Sequence, residues 1–123
     1  MGTTTDFDFD NAVHSHSQWK QKLASYLAKP NGEIKVAVVS SDCLCPLGEW
    51  IQGKGSAHAH LPEFGALKAD HTRFHVEAGK VVARADRGEN VSEDVLLGAK
   101  SPFGDASSSV VGSIMKLKRK LGA

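Results

Sequence analysis

Apolar residues recur three and four positions apart over most of the chain, the spacing that gathers one face of an α-helix. From near Asp6 to about Lys29 the repeat is carried by Phe9, Ala12, Val13, Trp19, Leu23, Tyr26 and Leu27. Asp6, Asp8 and Asp10 fall in the first turns, where negative charge suits the helix dipole, and Pro30-Asn31-Gly32 ends the segment. Ile34 to Val39 has the β-branched composition of a strand, but no second segment of that kind is there to pair with it, so an extended, partly buried connection is predicted. Ser40-Ser41-Asp42 offers capping side chains to a short helical segment that reaches Ile51 or Gln52, and Gly53-Lys54-Gly55-Ser56 reads as a flexible break.

A second long helix is predicted over about residues 58–85, with Leu61, Phe64, Leu67, His71, Phe74, His75, Ala78, Val81 and Val82 on its apolar face. Gly65 and Gly79 weaken that segment by their low helix propensity. Gly88-Glu89-Asn90 separates it from a short helical turn, Val91 to Leu97. Ser101-Pro102 then has the form of an N-cap followed by proline at the first helical position. The last helix carries Phe103, Val110, Val111, Ile114, Leu117 and Leu121 on one face. The pattern predicts an all-α protein of three long helices and two short ones.

Composition narrows the function. With 123 residues the chain reads as one domain over 1–123, and a net charge of +1 lacks the basic bias of nucleic-acid or membrane-surface proteins. No run of about 18 apolar residues is present, and the N-terminus has neither the basic nor the apolar segment of a secretory signal, so a cytoplasmic location is expected. Cys43 and Cys45, one residue apart, cannot staple distant parts of a fold. What stands out is six histidines beside one tyrosine and two tryptophans.

His71 and His75 are four residues apart, so on a helix both imidazoles share one face, close enough to grip one metal ion. They also lie on the apolar stripe and point inward, where an unpartnered polar group costs on the order of 1–3 kcal/mol. Satisfied core histidines are the alternative to metal ligands. On the first helix His16 continues the stripe and should face inward, whereas His14 falls at least a quarter-turn away and should be solvated. Cys45, near the start of a helical segment that favours a thiolate, can supply a fourth donor, and three histidines with one cysteine complete a zinc tetrahedron. Cys43 is the competing thiol, and a small buried apolar side chain is the ordinary fate of either. His58 and His60 are expected at the surface. Lys116, Lys118, Arg119 and Lys120 fit the last turns of a helix rather than a nucleic-acid patch. Trp19 and Trp50 are read as packing groups near the metal.

His16-Ser17-Gln18-Trp19 has the form H-x-x-W, Cys45-Pro46-Leu47-Gly48-Glu49-Trp50 the form C-x-L-G-x-W, and His71-x-x-x-His75 follows. In order, spacing and residue type, together with Asp42 three positions before the cysteine, these resemble the chemoreceptor zinc-binding domain of bacterial signalling proteins, over roughly Phe9 to Leu121. The resemblance implies an antiparallel four-helix bundle, here with an extra short helix, holding one zinc through His16, Cys45, His71 and His75. It also implies a homodimer attached to a chemoreceptor or a diguanylate cyclase, whose output the zinc regulates, and a cysteine thiolate linked to sensing of hypochlorous acid. These 123 residues carry no output domain, so the chain is expected to be either a free-standing member or a domain excised from a longer protein; Pro46 at the variable position of the cysteine motif and the additional Cys43 are further departures.

A site closed by four protein ligands leaves no position for a substrate water, so no enzymatic activity is expected. The opposing reading is a thiol redox switch or small redox enzyme built on Cys43 and Cys45 without metal, although a Cys-x-Cys disulfide is strained. A di-iron carrier is disfavoured, because Glu49, Asp70 and Glu77 do not form the Glu-x-x-His pairs such sites use.

Overall fold

Helix α1, Phe9–Ala28, begins where Asp8 places its carboxylate to accept the Asn11 backbone N–H at 2.9 Å. The cap, rather than the run of aspartates, sets the start, because it satisfies a backbone donor that the helix itself leaves open. The computed structural model describes residues 7–29, 32–41, 45–89 and 96–122, so Asp6, Asp42, Cys43 and most of the Val91–Leu97 segment lie outside the described residues. Of that last segment Leu96 and Leu97 are helical and buried. Among the described residues all regular structure is helical.

The valine-rich stretch is not extended. Val36–Val39 forms a single helical turn, α2, with Val39 N–H bonded to the Lys35 carbonyl and Ser40 N–H to the Val36 carbonyl, each at 2.9 Å. Without a partner strand, local hydrogen bonds are what satisfy these backbone groups, and β-branched composition is too weak a preference to prevent it. Helix α3, Pro46–Gln52, is capped by Cys45 itself, whose sulfur accepts the Gly48 N–H at 3.3 Å. The break after it is an ordered 3-10 turn, Lys54–His58. Gly55 is needed there for closeness rather than freedom, since a Cβ would stand 2.7 Å from the Trp50 ring.

Helix α4, Pro62–Asp86, starts four residues later than its apolar pattern suggests. Pro62 occupies the first turn, where its missing N–H costs nothing, and pushes Leu61 into extended geometry, so His58 and His60 precede the helix. Helix α5, Pro102–Leu121, opens as its sequence announces: Ser101 caps it by accepting the Gly104 N–H at 2.9 Å.

Contacts between the long helices fix their directions. Near their ends α1 and α4 are joined by Tyr26, whose hydroxyl donates to Asp86 at 2.6 Å, and near their starts Phe9 and Phe64 both pack on Trp50. These two helices therefore run the same way. Helix α5 runs against them: Lys118 reaches Asp10 at 2.7 Å, Arg73 reaches Asp105 at 2.7 Å, and Ser113 donates to Asp70. The leg that returns from the end of α1 to the start of α4 is broken into α2, α3 and the 3-10 turn. Leu23, Leu67, Phe74, Val82, Phe103 and Ile114 fill the space between the long helices, all fully buried. Replacing Tyr26 with phenylalanine removes a partly buried bond to a carboxylate and is expected to lower the unfolding free energy by about 1 kcal/mol, measurable by urea denaturation.

Candidate metal centre

His16, Cys45, His71 and His75 converge: each offers a donor atom, and all four atoms lie within 4.8 Å of one another. The three histidines are buried and come from two neighbouring long helices, while Cys45, half-buried, comes from the cap of α3. The Cys45 sulfur is 3.2 Å from His71 Nε2 and 3.6 Å from His75 Nε2, and the two Nε2 atoms are 3.0 Å apart. Phe74, fully buried, contacts the His16 and His75 rings edge-on at 5.1 and 5.3 Å between centroids.

Backbone carbonyls fix two of the rings. His16 Nδ1 lies 2.7 Å from the Ala12 carbonyl, one turn back on α1, and His75 Nδ1 lies 2.9 Å from the Val39 carbonyl of α2. A carbonyl only accepts, so both Nδ1 atoms carry the proton and both Nε2 atoms hold a lone pair in the neutral ring. This is the arrangement in which a histidine ligates a metal with its orientation held from outside.

His16 Nε2 is buried and has no hydrogen-bond partner. An unsatisfied buried acceptor of this kind costs on the order of 1–3 kcal/mol, and a cation among the four donors would satisfy it. A zinc ion with Zn–N of about 2.0–2.1 Å and Zn–S of about 2.3 Å would need donor separations of about 3.3–3.6 Å, close to those among Cys45, His71 and His75. The residues present therefore fit zinc, and the set contains no carboxylate of the kind hard cations prefer.

Burial also holds the His16 imidazole below its ordinary pKa of 6.5, against the opposing pull of the Ala12 carbonyl and with help from His75. The neutral, ligating form is thus the native one. In the metal-free protein the unfolded chain binds a proton at His16 more readily than the folded one, so this stability is present above pH 6.5 and is lost as pH falls through the folded value. Urea midpoints in chelator are expected to drop between pH 7.5 and 5.5, and His16→Gln should flatten that slope.

Two clefts open beside the sulfur. One, of about 280 Å³, is lined by Trp19, Ile34, Val38, Val39, Cys45 and His75. The other, of about 470 Å³, reaches Cys45 and His16 from the side of Phe7 and Asn11. Trp19 lines both, consistent with a packing role beside the site. Trp50 instead belongs to an aromatic cluster with Phe7, Phe9, Phe64 and His58, which anchors α3. Stacking on Trp50 at 6.0 Å also leaves His58 half-buried rather than solvated, whereas His14 and His60 are exposed as expected. The sequence pattern does not single out the Ala12 and Val39 carbonyls. The first lies four residues before His16 and could have been read from helix geometry; the second has no sequence signal.

An all-helical protein with three imidazoles and one thiol converging on one point defines a metal-site class, and the comparisons give its family. Residues 16–82 match the chemoreceptor zinc-binding domain, a span that begins at His16 and takes in Cys45, His71 and His75. The chain belongs to that family, and zinc is the metal that family and donor set together specify. No curated protein and no solved structure matches the chain. No helix among the described residues is long and apolar enough to cross a membrane.

Proposed function

We propose that His16, Cys45, His71 and His75 hold one zinc ion and that the chain works as a zinc-dependent sensory module, without catalysis, in bacterial signal transduction. The observation that carries this is the buried, partnerless His16 Nε2 beside three other donors. Bound there, zinc would act as a closed structural link between segments rather than as a catalyst. His16 and His71/His75 tie α1 to α4, and Cys45 ties the start of α3 to both. Cys45 is the least buried of the four and lies at two clefts, so it is the donor an oxidant meets first. Oxidation of its thiolate would remove the soft donor and the Gly48 cap together, freeing α3 to repack. The readout partner is a chemoreceptor or diguanylate cyclase of the cytoplasm, and the chain acts there as a homodimer.

Metal analysis of protein purified without added zinc tests the reading. One zinc per chain, absent from Cys45→Ala, is expected. Metal-free protein that turns over a thiol substrate would favour the Cys43/Cys45 redox pair instead.

A further inference from the structure

Gly79 lies one helical turn beyond His75 on α4, buried, in a position where a helix interior disfavours glycine by roughly 0.5–1 kcal/mol relative to alanine. A Cβ at this position would stand 2.7 Å from the Ser40 Cβ, closer than carbon atoms approach, and 3.5 Å from both the Ser40 Cα and Oγ. Gly65 on the same helix and Gly112 on α5 are different: a Cβ on either meets nothing within 4 Å. Gly79 therefore marks the place where the end of α2 comes down against α4.

The same descent brings the Val39 carbonyl to 2.9 Å from His75 Nδ1. The turn is internally tied by the Val39 and Ser40 backbone bonds and by the Ser40 hydroxyl, which donates to the Val36 carbonyl. A displacement of Ser40 is thus passed to its neighbour Val39. Val39 is the buried residue of the turn, and the turn packs on α4.

We propose that Gly79 is a positioning residue for the metal centre: the absence of its side chain lets the turn Val36–Ser40 close on α4, so that the Val39 carbonyl holds the His75 ring with Nδ1 protonated and Nε2 turned to the other donors. This rests on the ligand assignment proposed above. Outer partners of metal-bound histidines are typically worth 10–100-fold in metal affinity, which is the range expected here.

The test is a zinc competition titration against a chromophoric chelator on wild type, Gly79→Ala, Gly65→Ala and the double variant Gly79→Ala/Ser40→Gly, with ¹⁵N imidazole NMR of each metal-free protein. Gly79→Ala is expected to bind zinc about 10–100-fold more weakly and to shift His75 away from the Nδ1–H tautomer. Gly65→Ala should match wild type. The double variant removes the colliding Ser40 Cβ and should recover most of the affinity and the tautomer. Should Gly79→Ala fail to fold, recovery in the double variant carries the result. The proposal is overturned if Gly79→Ala binds as wild type does, or if the double variant is no better than the single one. Wild type that binds no zinc would overturn the ligand assignment instead, and the His75 tautomer in the metal-free variants would still decide whether Gly79 sets that ring.

Discussion

His71→Ala is expected to lose zinc: from one ion per chain in the wild type to less than about one in ten after dialysis against a weak chelator. A structural zinc site contributes about 10–16 kcal/mol of apparent binding free energy over four ligands, so one ligand accounts for roughly 3–4 kcal/mol. That is about 10²–10³-fold in dissociation constant. His71 is central in this respect, with its Nε2 within 3.2 Å of both the Cys45 sulfur and His75 Nε2. His14→Ala changes an exposed residue on α1 and should leave zinc content and affinity untouched. Equal zinc in the His71 and His14 variants would remove His71 from the site.

The second large effect is on stability. Zinc binds only the folded chain if the four donors must be assembled by three separate helical elements, so its removal lowers stability by mass action. At a free zinc level about 1,000 times the dissociation constant, the loss is about 4 kcal/mol. For a chain of 123 residues this corresponds to a fall in melting temperature of roughly 10–20 °C on chelation, reversed by added zinc. Part of the loss has a local cause already visible: without a cation, His16 Nε2 is a buried acceptor with no donor. A chelated protein melting at the wild-type temperature would show that the cluster is satisfied without metal.

How much of this could be read from the chain depended on range. The long helices follow from three-four periodicity, and Ser101-Pro102 marks the start of α5 by local chemistry that acts within a turn; the Asp8 cap and Pro62 act as locally, but the apolar pattern runs past both starts. His16, His71 and His75 were separable from His14 because inward direction on a helix is a matter of spacing alone. The short elements differ from their sequence pattern for the complementary reason. Val36–Val39 has strand composition but no strand to pair with, so its backbone closed on itself as a turn. Gly53–Ser56 has the composition of a flexible break, yet Gly55 is held against Trp50. Cys45 was identifiable as a donor, but not as the cap of its own helix, since cysteine is not a usual capping residue. The Val39 carbonyl behind His75 depends on a contact between residues 36 positions apart, which no local pattern encodes.

The sensory reading depends on one zinc being bound by three imidazoles and one thiolate. X-ray absorption at the zinc edge of the purified protein measures this coordination directly. A single sulfur at about 2.3 Å and three nitrogens at about 2.0–2.1 Å are expected. A shell without sulfur, or one with two sulfurs and correspondingly fewer nitrogens, would contradict it.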